Sequence, residues 1–185
     1  MKEKLNNIIY LPGGVHANEE INSIVERKIK EINKNGFMFF GYNGTLLHPN
    51  SQVVPFGKKN HKNNNKTYVL ISAIKKDYQK FVIKAKDYTI NRVEWFDIPE
   101  NINVLGSKYA LVCSNIKPCS FDIDLNDYVI ARGKHKNERF AEVYSTRLDS
   151  VCAHYNPENK KEINKKIVHI DYIAELTEPY GVFVR

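Results

Sequence analysis

Two helical patterns stand among about seven β-type runs, and the two kinds of segment do not alternate in turn. A wound parallel sheet needs a crossover, usually a helix, after nearly every strand. Two helices cannot supply that. The expected architecture is therefore α+β: a mostly antiparallel mixed sheet of about six to seven strands, with two principal amphipathic helices over one face. The chain has 185 residues and no internal repeat or linker, so it reads as one globular domain over 1–185.

The first helical pattern is Ile21, Ile24, Val25, Ile29 and Ile32, with Glu26, Arg27, Lys30 and Glu31 on the opposite face. Asn18 is the expected N-cap, Glu19 and Glu20 fall in the first turn, and Gly36 closes the helix. The second pattern is Phe140, Tyr144, Leu148, Val151, Cys152 and Tyr155, ended by Pro157. It makes Cys152 a buried, inert thiol. Strands are expected at 8–11, 37–42, 67–74, 81–83, 92–98, 109–116 and 128–131. The tail alternates with period two: Val168, Ile170, Tyr172 and Ala174 on one side, His169, Asp171, Ile173 and Glu175 on the other. A last short strand is expected at 181–184. Trp95 belongs to the core or its edge, with a stacking platform as the other reading.

Apolar residues make up 42% of the chain, enough for an ordinary core. No apolar run is long enough to span a bilayer, and Met1-Lys2-Glu3-Lys4 does not open a signal peptide, so no membrane contact is expected. Three cysteines suit a reducing, cytoplasmic compartment better than a disulfide scaffold. The spacing of Cys113, Cys119 and Cys152 matches no zinc pattern, and nothing calls for a cofactor. The net charge is +7 and the pI near 9.2, a balance common among proteins that meet polyanions. Residues 57–66, "GKKNHKNNNK", hold four lysines and no acid. They read as a flexible basic surface loop.

Three glycine-containing stretches could hold an anion. In "FFGYNGTLLHP", Asn43-Gly44 between apolar runs is a strong signal for a type I′ hairpin. Tyr42, Gly44, Thr45 and His48 would then line its tip. In "LPGGVHANEE", Gly13 and Gly14 lie between a strand and a helix start, where free N–H groups attract anions. In "ARGKHKNER", Arg132, Lys134, His135, Lys136 and Arg139 cluster, and Arg132 could grip phosphate with two N–H groups. Glu175 and Glu178 form a loosely spaced acid pair of the kind usually solvated.

The expected function is binding of a phosphate-bearing ligand, a nucleotide or a nucleic acid, by a cytosolic protein. One alternative is an enzyme acting on a nucleotide-like substrate, with His48 or His16 as acid–base and Arg132 stabilising charge. The other is a protein-interaction module that presents its basic surface to an acidic partner.

Overall fold

The computed structural model describes residues 5–144 and 149–185. Leu148 of the second helical pattern and residues Met1–Lys4 lie outside them. The described elements run β1 (Asn7–Val15), α1 (Ile21–Asn35), β2 (Met38–Tyr42), α2 (Val54–Lys62), β3 (Tyr68–Asp77), β4 (Asp87–Thr89), β5 (Phe96–Asp97), β6 (Tyr109–Asp124), β7 (Tyr128–Ile130), α3 (Phe140–Val143), β8 (Val151–Tyr155) and β9 (Ile167–Val184). The fold is α+β. The described strands form one mixed sheet in the order β2-β6-β9-β3-β1-β8-β7, with β4 also on β9 and β5 on β4. β1 and β3 pair in parallel, and the other described pairs are antiparallel.

The centre of the sheet is buried on both faces. Ile9, Leu11, Val69 and Ile71 pack with Val25 of α1 and Phe56 of α2. Their strand neighbours Ile8, Tyr10, Tyr68 and Leu70 pack on the other side with Leu125, Tyr128 and Phe140. The second face is thus covered by α3 and the far strands, not left to solvent. A third cluster holds Phe39, Ile102, Val104, Val112 and Val182. The alternation of the tail is realised, since Val168, Ile170, Tyr172 and Ala174 are all buried. The expected strand at 181–184 is the continuation of β9.

α1 forms where its apolar stripe lies, and Gly36 ends it in the left-handed conformation, its N–H bonded to the Ile32 carbonyl. Its start differs from expectation. Ala17 and Asn18 both take positive φ, and His16 and Glu19 exchange two backbone hydrogen bonds across them. This is the geometry of a type I′ turn. Asn18 therefore cannot cap, and Glu20 takes the cap position without a side-chain bond. The charged face of α1 is not all solvated either. Glu31 is buried and accepts from Lys28 Nζ at 2.9 Å, Arg27 Nη1 at 3.1 Å and the Asn103 N–H at 3.0 Å. Burial, only partly offset by Glu31, pulls the Lys28 ammonium down to about 8.

Four further expectations are corrected. Residues 57–62 belong to helix α2 rather than a loop. Its inward stripe is Phe56, Gly57 and Asn60, with the lysines outward, and Asn60 donates to Thr67 Oγ1 at 2.8 Å. The helical pattern over 140–155 yields helix only to Val143, and residues 151–155 are strand β8 between β1 and β7. Residues 81–83 form no strand, and Phe81 and Ile83 are exposed. Over 92–98 only Phe96–Asp97 is strand, and Trp95 is half-buried beneath the Arg185 guanidinium, 3.8 Å away.

Two glycines separate the structural reading from the sequence reading. Gly14 sits at a register shift of β1, where an added Cβ would lie 2.3 Å from the Lys76 carbonyl oxygen. Gly44 has φ −67° and ψ 126°, and a Cβ there would meet open space. Gly14→Ala should cost about 1–3 kcal/mol through forced backbone displacement. Gly44→Ala should stabilise by about 0.4–1 kcal/mol through the unfolded chain. Chemical denaturation of both variants checks this. A Gly44→Ala penalty as large as that of Gly14→Ala would reinstate the type I′ hairpin at Asn43-Gly44.

Candidate functional site

The "FFGYNGTLLHP" stretch makes no hairpin. β2 pairs with β6, and the chain then winds through a 3-10 turn at Thr45–Leu47 and a π-helical turn at Pro49–Val53 directly into α2. Asn43 is spent on structure: its amide donates to the Gly106 carbonyl and its carbonyl accepts from the Lys108 N–H, both at 2.8 Å. Gly41 admits Ser107 and Val104 rather than a ligand, since an added Cβ would lie 2.5 Å from Ser107 Oγ. The Tyr42 hydroxyl is buried and donates to the Leu47 carbonyl at 2.5 Å. Burial pushes its ionisation far up, so it stays a neutral tie across the turn. Gly44 and Thr45 are exposed. His48 is wedged edge-on against Tyr109 and Phe183, with Nδ1 buried and unbonded among the described residues.

Gly13 and Gly14 are not at this site. Gly13 lets Ile21 and Ile71 approach β1, and Gly14 lets the Lys76 carbonyl approach it. His16 bonds through Nε2 to the Leu105 carbonyl at 2.7 Å.

The basic loop 132–136 does join the opening stretch, further along than the sequence indicated. Backbone bonds Ile130 N–H to Glu138 O and Asn137 N–H to Ile130 O close the loop. Gly133 turns it with φ +88°. Arg132 donates from Nε and Nη2 to the Ser51 carbonyl at 3.3 and 3.2 Å. Its fork therefore holds the π-helical turn in place instead of standing free for phosphate. The Gly133 backbone lies over the Gln52 amide, which a Cβ would meet at 3.0 Å. Between the two segments is a notch of about 60 Å³, lined by Leu46, Gln52, Gly133, Lys134 and His135 with Cys152 among its walls.

A third segment extends the positive surface. The half-buried His154 on β8 is held below its ordinary range, first by burial and then by the charges of Lys59 on α2 and Lys136 on the loop. The two lysine-rich stretches, distant in sequence, thus act on one imidazole. Lys59, His154, Ser51 and Gln52 were not expected at the site. The lysine content of 57–66 was a visible signal, but its helical placement was not. Cys152 is buried as expected, and burial raises its thiol further, which makes it a wall and not a nucleophile.

A second cleft of about 250 Å³ lies between α2 and β9, lined among others by His61, Lys66, Glu175, Thr177, Glu178 and Tyr180. The acid pair expected to be merely solvated therefore lines a cavity. Glu175 is paired with Lys66 at 3.4 Å. The carboxylates make this cleft a poor host for an anion.

Because His154 is held low, the folded protein binds fewer protons there than the unfolded chain does. That part of stability is present above the ordinary histidine range and fades as pH falls through about 6.5. Lys59→Ala and Lys136→Ala should each raise the His154 titration midpoint, as followed by NMR of the imidazole. A midpoint unmoved by both substitutions would separate the two lysine segments.

Searches of family models, curated proteins and solved structures returned no match for this chain, so the reading that follows rests on its own geometry.

Proposed function

We propose that the chain is a cytosolic binding protein for a phosphate-bearing ligand, and that the ligand is a nucleic acid gripped by its backbone. One observation carries this reading: Arg132, Lys134 and His135 of the 132–136 loop line the notch against Gln52, and Lys59 of α2 and Lys136 of the loop add their charge at His154, two residues along β8 from the notch-lining Cys152. Lysines gathered on one surface neutralise phosphates and release counterions, which is the main source of affinity for a polyanion. The net charge of +7 acts in the same direction at long range.

Size separates a polymer from a free nucleotide. Pockets that enclose a whole small molecule commonly measure about 300–1,000 Å³. The basic notch, at about 60 Å³, has room for a phosphate group and not for a base and sugar. The roomier cleft carries Glu178 beside the Glu175–Lys66 ion pair, so it offers a phosphate little net positive charge. A backbone phosphate in the notch, with the rest of the strand lying across the open surface, satisfies both facts. The enzyme alternative finds less support, because His16 is bonded to a main-chain carbonyl and His48 is packed among aromatic rings. A cytosolic setting goes with this reading, since Cys113, Cys119 and Cys152 all stand unpaired.

Affinity for a single-stranded oligonucleotide should fall linearly with added salt on logarithmic axes, by about 0.7 of slope per phosphate neutralised. Replacing Lys134 and Lys136 together by alanine should flatten the slope by about 1.4, two contacts at that value each. Fluorescence anisotropy across a salt series measures both. A slope unchanged in the double variant, or capture of an acidic protein with no binding of nucleic acid, would return the basic face to the interaction-module reading.

A further inference from the structure

On the paired strands β6 and β9, three side chains that take no part in the basic notch stand in hydrogen-bonded order. His169 on β9 lies directly opposite Asp122 on β6. Its Nδ1 is 2.6 Å from Asp122 Oδ1. An ionised carboxylate can only accept, so Nδ1 carries a proton, and in the neutral ring the lone pair is then on Nε2. Ser120 Oγ stands 3.2 Å from that Nε2. This is the order of nucleophile, base and orienting acid that activates a serine on many unrelated folds, where it is recognised by geometry and not by sequence position.

The surroundings hold the imidazole in place. Ser72 Oγ donates to the His169 main-chain carbonyl at 2.6 Å, fixing the strand beneath the ring. Asp171, the other carboxylate nearby, has Oδ1 3.9 Å from Nε2, while its Oδ2 accepts the Ala73 N–H at 2.7 Å. Ser120 itself sits where the register of β6 shifts between Pro118 and Phe121. Such bulges re-aim side chains and recur beside active sites. The expected strand ended at residue 116 and left Ser120 and Asp122 outside it, while His169 stood on one side of the alternating tail, so the pairing register of β6 with β9 is what assembles the three.

We propose that Ser120 is a nucleophile activated by His169, with Asp122 as a positioning residue, and that the substrate class is a small activated acyl ester. The His169 side chain is 49% exposed and that of Asp122 63%, so the reacting atoms are open to water and to any acyl group that reaches the sheet face. An open face selects by reactivity and not by enclosure, which is why activated esters are the class. In the first step Oγ bonds to the acyl carbon and its proton passes to Nε2. The bond to the leaving oxygen breaks, and that oxygen takes the proton from Nε2. Water then adds to the acyl carbon with Nε2 again accepting the proton. The acid departs as Oγ recovers it.

The test uses a fluorophosphonate probe and p-nitrophenyl acetate on the full chain. With the probe, the Oγ–P bond forms, the P–F bond breaks, fluoride leaves and the proton goes to Nε2. The parent should carry the phosphonyl mass on Ser120 and hydrolyse the ester. Ser120→Ala should lose both. His169→Gln should be labelled about 100-fold more slowly, the lower range of what a general base contributes. Ser23→Ala, an exposed position on α1, should match the parent. For Asp122→Asn, nitrogen NMR should show the imidazole proton moved from Nδ1 to Nε2, with labelling slowed accordingly. The altered positions are at the surface, and circular dichroism of each variant should match that of the parent. Labelling of His169→Gln at the parent rate, or no Ser120 adduct in the parent, would overturn the proposal.

Discussion

The pairing of β6 with β9 is the interaction on which the rest of the sheet depends. The two strands run 16 and 18 residues and stay paired from Tyr109↔Phe183 to Asp124↔Ile167, the register shifting between Leu111 and Cys113, Cys113 and Asn115, and Pro118 and Phe121. β2 attaches to the outer edge of β6, and β3 attaches to β9. Through β3 the sheet continues to β1, β8 and β7. The inner halves are apolar on both faces, as at 110–113 and 182–184, and hold the third core cluster. The outer halves alternate, and this leaves His169, Ser120 and Asp122 on an exposed side.

The basic notch follows from two routes that leave this pair and meet again. One passes through β9 to α2: the Tyr180 ring lies against Gly57, and Gly181 lies under Val53. The other passes through β3, β1, β8 and β7 to the loop 132–136. They meet where Arg132 clasps the Ser51 carbonyl and Gly133 covers Gln52. The site is therefore a property of the whole sheet rather than of one motif. Like charges gathered in this way repel one another, and burial first and then the Lys59 and Lys136 charges hold His154 below its ordinary range. A polyanion bound as proposed would relieve that repulsion.

Much of this was legible from the chain. The apolar stripe of α1, its Gly36 stop and the alternation of β9 are local patterns that burial enforces directly. α2 was hidden because its buried stripe includes Gly57 and Asn60, which carry no apolar signal; Gly57 is there to admit a tyrosine ring. β8 was hidden because Val151, Cys152 and Tyr155 also fit a helical spacing, and pairing with β1 and β7 overrides that spacing. The type I′ turn occurs at Ala17-Asn18, while Asn43 is drawn into anchoring residues 106 and 108. That Arg132 and Lys134 lie in a glycine-turned basic loop was readable from the chain, but the Arg132 fork goes to the Ser51 carbonyl and not to a ligand. The partners of the loop, Ser51 and Gln52, could not be read, since only the tertiary path brings them there.

The most direct measurement is a map of backbone amide NMR shifts as a short single-stranded oligonucleotide is added at low salt. The account requires the largest shifts at Ser51 and Gln52, at Lys59, and through residues 132–136, with His154 titrating upward in the complex. Shifts confined to the cleft of Glu175, Glu178 and Tyr180, or no saturable shifts at all, would contradict it.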